Sequence, residues 1–197
     1  MTRLLFFFVI TYSIHFTNHT EAQSVGFKIF KKNTQIGTIN GKRQIDEDSI
    51  SYLVESDVMV RFIWKYERST ISSAIFKDDK LNWSRSKILV NDEVKENNSS
   101  FFEGKQYRCS TISGEKESID MPINFTAIMM YFHEPIGLKE IYSESHLKYL
   151  NLEKIANNSY KLTLPNGDEN HYHYENGKLS KANIYRSWFD LTFLPFD

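Results

Sequence analysis

The chain has one cysteine, Cys109, and only 4 prolines and 8 glycines in 197 residues. A single thiol excludes an intramolecular disulfide and a zinc cage of several thiolates. Scarce Gly and Pro exclude collagen-like and linker-like chains. Neither sign of charge dominates, with 24 Lys plus Arg against 25 Asp plus Glu and a net charge of −1. The strong basic field that nucleic acid favours is therefore missing, and no nucleic-acid partner is expected. After residue 22 no run of about 18 apolar residues occurs, so no transmembrane helix is expected in the mature chain. Motifs of catalysis are missing too: no Gly-x-Ser-x-Gly elbow, no phosphate-binding glycine loop and no His-Glu-x-x-His helix. The expectation is a non-enzymatic protein with no catalytic residue and no cofactor.

Aromatic residues are what the chain has in quantity: 15% of the total, with 15 Phe and 11 Tyr. They favour a folded, β-rich protein. The first 22 residues have a different character. Arg3, an apolar stretch over 4–14, and a polar stretch ending at Thr20-Glu21-Ala22 follow the order of a Sec signal peptide, with cleavage expected after Ala22. No Cys follows that point, so the exported protein, periplasmic or secreted, is not expected to be a lipoprotein. The sequons Asn98-Ser99-Ser100 and Asn124-Phe125-Thr126 would matter only in a eukaryotic secretory route.

Residues 23–197 read as a single β-rich domain. Polarity alternates with period two through most of it, broken by short polar turns, as in an antiparallel meander. Residues 27–29 and 36–39 flank a turn at 32–35, and 41–48 reads as a loop or the start of a strand. Strands are expected over 50–55 and 58–67, the second with Val58, Val60, Phe62, Trp64 and Tyr66 on one side. Residues 70–76 and 81–90 flank an acidic turn, and further sheet is expected at Val94, 101–102 and 107–112, with turns at 97–100 and 103–105. Later strands are expected at 138–143, 158–164, 169–175, 179–186 and 188–194. The stretch 147–155 is ambiguous between strand and helical turn. Asn176-Gly177 is the strongest hairpin signal, because both residues accept φ > 0.

The period changes after Ser118. Asp120-Met121-Pro122 offers an N-cap and a first-turn proline, Pro135 a stop, and 122–133 is expected to be a helix. Its apolar residues cover more than one face, which suits a helix lying across or inside a curved sheet. The expected fold is thus mainly β: a strongly curved antiparallel sheet, half-barrel or open barrel, of about ten strands with one helix packed on the concave face.

Several local motifs stand out together: Gln35-Ile36-Gly37-Thr38-Ile39, Pro122-Ile123-x-Phe125-Thr126 leading to Tyr131-Phe132-x-Glu134-Pro135, and Tyr142-Ser143-Glu144. Tyr160-x-Leu162, Pro165-Asn166-Gly167-Asp168 and Tyr174-x-Asn176-Gly177 complete the set. On these residues the chain resembles an uncharacterised family of small secreted bacterial proteins, domain of unknown function 6134. The resemblance implies a signal-bearing, mostly β protein of Gram-negative bacteria with no agreed activity. It is also distantly similar to periplasmic half-barrels in which a curved sheet wraps a helix, some of which carry lipids or lipoproteins.

His171 and His173 share one face of an expected strand and could chelate an ion, with Glu169 beside them and His133, Glu134 and His146 unplaced. A two-residue chelate with no second cluster is a weak signal, and no metal site is expected. Cys109 sits in a strand-like run without the flanks of a nucleophile. The leading functional expectation is a non-enzymatic binding protein, in which Phe62, Trp64, Phe125, Met129 and Met130 would line a plastic pocket for an apolar or lipid-like ligand, although ordinary packed core is the favoured reading of the Met and aromatic residues in 122–133. The alternatives are a packed core in an envelope structural or interaction protein, pairing with a protein partner through an exposed strand edge, and, less favoured, a metal-dependent enzyme.

Overall fold

The computed structural model describes residues 21–61, 65–187 and 189–196. Their strands form one antiparallel sheet. The first meander runs β1 (Glu21–Lys31), β2 (Thr34–Asp46), β3 (Ser49–Arg61), β4 (Lys65–Lys77), β5 (Lys80–Val90), β6 (Glu93–Phe102), β7 (Tyr107–Thr111) and β8 (Gly114–Ile119). The second runs β9 (Glu140–Ser143), β10 (Lys148–Ala156), β11 (Ser159–Thr163), β12 (Glu169–Glu175), β13 (Lys178–Arg186) and β14 (Phe189–Pro195). β1 joins them by pairing with both β2 and β14, which leaves β8 and β9 as the two ends of a 14-stranded open sheet.

Period-two burial sets the inner face. Phe27, Ile29, Ile39, Tyr52, Val54, Ala74, Phe76, Leu81 and Tyr107 are buried from the first meander, and Leu150, Leu162, Tyr172, Tyr174, Ile184 and Phe193 from the second. The ends of the sheet meet through side chains instead of a backbone ladder. Tyr142 of the end strand β9 hydrogen-bonds Ser100 of β6 and lies 3.8 Å from the Cys109 sulfur of β7, while Asn98 Nδ2 donates to the Ser145 carbonyl at 2.6 Å. Cys109 is fully buried there.

Several expectations change. The sheet has 14 strands, not about ten. The expected strand over 58–67 is divided between two: β3 ends at Arg61 and β4 begins at Lys65, with Val60 opposite Tyr66. Residues 97–100, expected as a turn, lie inside β6, because Asn98 and Ser100 point inward to the polar partners just named. Most of 41–48 is strand for a similar reason: Gly41 is an inner position, and an added Cβ would meet Val25 Cγ2 at 2.7 Å. The Asn176-Gly177 hairpin is as expected, with φ of 52° and 73° between Glu175 and Lys178.

The expected helix over 122–133 is the largest correction. No α-helix occurs among the described residues, and this segment contains only a five-residue 3₁₀ turn, Ala127–Tyr131. The segment is nonetheless buried, with Ile123, Thr126, Ile128, Met130 and Phe132 all at 4% exposure or less. Its backbone finds partners outside itself. Leu81 N–H donates to the Ile123 carbonyl and Tyr142 N–H to the Phe125 carbonyl, and Thr126 bridges to Tyr142 in parallel. With strands of the sheet donating to its carbonyls, the segment finds backbone partners without forming an α-helix.

Candidate functional site

The segment over 120–135 acts as a plug, and tyrosines fix it. Tyr149 OH donates to the Pro122 carbonyl at 3.0 Å, Ile123 N–H donates to Tyr107 Oη at 3.3 Å, and Tyr174 OH donates to the Met130 carbonyl at 2.8 Å. At its far end Tyr52 Oη lies 3.2 Å from His133 Nε2 and also accepts from Arg43 Nε, while Tyr160 OH donates to Glu134 Oε1 at 2.8 Å. Burial, with Glu134 beside it, pushes the Tyr160 phenol up to about 12, so it stays a donor. Glu144 Oε1 accepts from Ile128 N–H at 3.2 Å and so caps the 3₁₀ turn from β9's end. Burial pushes the Glu144 carboxyl up from its ordinary value, and Glu144 is 3% exposed.

The plug does not fill the interior. Beside the 3₁₀ turn is a cavity of about 340 Å³ whose wall draws on both meanders and on the plug. Its lining includes the apolar residues Ile39, Val54, Ile88, Leu162, Ile184 and Phe193. Among them stand hydroxyls and charges, including Ser72, Ser86, Tyr172, Asn170, Glu144 and Arg186. The cavity opens where Arg68, Glu96, His146 and Asn166 are exposed. Arg186 Nη1 donates to Asn170 Oδ1 at 2.9 Å and to its neighbour's carbonyl, and Arg186 Nε stands 3.5 Å from Asp168 Oδ2. Burial lowers the Arg186 pKa, and Arg68 adds to that lowering as a like charge.

Two other hollows lie elsewhere. One of about 550 Å³ sits at the opposite mouth, bounded by Val25, Gly26, Phe132, Leu179 and Phe196; Tyr131 of the plug reaches both it and the cavity. The other, about 440 Å³, lies along Gly37, Asp57, Met59 and Asn91. Neither combines buried ionisable groups with walls from both meanders.

Of the residues expected to line a ligand pocket, Met130 is fully buried, and Phe125 and Met129 pack against the same core, away from the cavity wall. Phe62 and Trp64 lie outside the described residues. The plug residues that do reach the cavity are Ala127, Ile128 and Tyr131, neighbours of those expected. His171 and His173 share a face, as read, but part company: His171 Nε2 lies 3.0 Å from Glu169 Oε2 and His173 Nδ1 lies 2.8 Å from Ser159 Oγ. Among the described residues no group of three or more His, Cys, Asp or Glu side chains is placed to hold a metal ion. Also among the described residues, no helix is long and apolar enough to cross a membrane. Arg68 and Arg186 were not singled out from the sequence. The available signal was phase, since Arg186 follows Ala182 and Ile184, and Arg68 precedes Thr70, Ser72 and Ala74, at inward positions.

The shape has a relative among solved structures. The crystal structure of a beta-barrel-like protein of domain of unknown function DUF1849 from Brucella abortus superposes with a TM-score of 0.60 over 92% of this chain and 98% of that one, at 9% sequence identity. That likeness shows a shared fold. No curated protein matches the sequence. The family model for domain of unknown function DUF6134 matches residues 27–195, from the first inward residue of β1 to the end of β14. The chain belongs to that family.

Proposed function

We propose that the protein is a non-enzymatic binding protein, exported by the signal peptide over 1–22, that holds a small amphiphilic molecule in the interior cavity. The observation that carries this reading is the mixed lining of the cavity, in which aliphatic and aromatic residues stand among hydroxyls and charges. Pockets for small molecules combine such apolar residues with a few placed polar groups. The volume sets the size of the guest. About 340 Å³ corresponds to roughly ten waters at ~30 Å³ each. A short-chain amphiphile fits; a whole phospholipid does not.

The test is calorimetric titration of the purified protein with 1-octanol, beside Ser72→Phe, which sends a ring into the cavity from β4. Saturable binding by the wild type, abolished in a folded Ser72→Phe, supports the reading. No heat of binding, or equal binding by both proteins, overturns it.

A second reading, an envelope interaction protein that recruits a partner strand, has one observation behind it. β8 pairs with β7 alone and its residues Gly114 to Ser118 are exposed. Its Glu115, Lys116 and Glu117 are the charges by which sheet edges resist pairing, so this reading ranks second. Retention of a defined envelope protein that is lost in Lys116→Pro would favour it.

A further inference from the structure

We infer that the cavity's guest is anionic, a carboxylate- or phosphate-headed amphiphile whose headgroup is held at the mouth by Arg68 of β4 and Arg186 of β13. This rests on the reading of the cavity as a binding site and names the chemistry it selects.

Two guanidiniums, Arg68 and Arg186, and three carboxyls, Glu96, Glu144 and Asp168, line the cavity. Asp168 is taken by Arg186 and by Asn166, whose Nδ2 donates to Asp168 Oδ2 at 2.9 Å. Glu96 stands as a charge neighbour of His146, and the buried Glu144 carboxyl is committed to the Ile128 amide. Arg68 lines the same cavity, yet makes no ion pair and no side-chain hydrogen bond among the described residues. It shares the cavity with a second guanidinium, Arg186, beside which Asp168 stands at 3.5 Å. A guanidinium without an ion-pair partner at a cavity mouth can take one from a guest, and guanidinium forks suit the paired oxygens of carboxylate and phosphate. The pairing is not accidental to the fold. β4 and β13 belong to opposite meanders, so only the curled sheet brings these residues to one mouth. Behind them Ile88, Ile184 and Phe193 continue inward and offer the tail an apolar wall.

Arg186 also holds Asn170 and the Tyr185 carbonyl, so its removal would disturb the β12 and β13 pair; Arg68, exposed and unpaired, is the residue to change. The experiment titrates wild type and Arg68→Gln with octanoate, octyl phosphate, 1-octanol and inorganic phosphate. The proposal expects octanoate or octyl phosphate to bind wild type more tightly than 1-octanol. Arg68→Gln should weaken the preferred anion about tenfold and leave 1-octanol unchanged. Whichever of the two anions binds more tightly identifies the headgroup as carboxylate or phosphate. Equal affinity for 1-octanol and both anions, or an Arg68→Gln variant that keeps full anion affinity, overturns the anionic headgroup while the amphiphile reading stands. Inorganic phosphate binding as tightly as octanoate overturns the tail. If none of the four binds, both readings fall together.

Discussion

Tyr174 illustrates how single residues hold this interior. Its hydroxyl is buried and donates to the carbonyl of Met130, itself fully buried. Tyr174→Phe leaves that carbonyl unsatisfied and is expected to cost about 1–3 kcal/mol, read as a lower urea midpoint with unchanged slope. Glu144 and His133 act in opposite directions with pH. Burial raises the Glu144 carboxyl above its ordinary 4.5, so the folded chain holds a proton that the unfolded chain has released. Its contribution is full below pH 4.5 and falls as pH rises through the folded value. Burial first, and Arg43 second, hold the His133 imidazole below its ordinary 6.5, so its contribution is present above pH 6.5 and is lost as pH falls through the folded value. Glu144→Gln, which keeps an acceptor for the Ile128 amide, is therefore expected to flatten the decline of stability on the alkaline side of 4.5 while the acid-side loss persists. Chemical denaturation across pH measures both limbs. The histidines of β12 were legible as sharing a face. Their separate partners, Glu169 and Ser159, were not, because cross-strand register decides them.

At the scale of the element, the hairpins were the most legible feature, because their turns carry local chemistry. Asp78-Asp79, Asn91-Asp92 and Asn176-Gly177 all occupy positive φ between paired strands. Polar strands were hidden: Asn98 and Ser100 look like turn residues until the Ser145 carbonyl and Tyr142 arrive from 42 or more positions away. The plug was read as a helix because proline, apolar density and a second proline are local signals, whereas Tyr107, Tyr149 and Tyr174 supply its partners from other elements. Close strand approach sets another requirement. A Cβ at Gly37 would stand 2.1 Å from the Asp57 carbonyl oxygen, a backbone atom of β3. Gly37→Ala must therefore push β2 from β3, and is expected to lose at least about 1–3 kcal/mol, measured as a fall in melting temperature. For Gly26→Ala the nearest atoms belong to the Phe196 ring, which can swing aside, so this change should cost less.

Across the whole molecule, one open sheet curls until its ends meet through Tyr142, Ser100 and Cys109, and the plug occupies only part of the space enclosed. The inward aromatic face could be read from alternation, whereas curvature was expected from the apolar density of 122–133 and from the family resemblance. The cavity could not, because its wall is assembled from strands on both meanders, and inward polar residues such as Ser72, Asn170 and Arg186 have no meaning in sequence until they face one another. The central claim, that this space receives an amphiphile with its charged end at Arg68 and Arg186, is tested most directly by locating a guest. Crystals grown with 8-bromooctanoate, measured at the bromine edge, report where the tail ends. The expected result is one anomalous peak inside the cavity beside Ile88 and Ile184, with carboxylate density between the two guanidinium groups. A peak at the opposite mouth beside Phe196, or no peak in crystals saturated with the compound, would contradict the account.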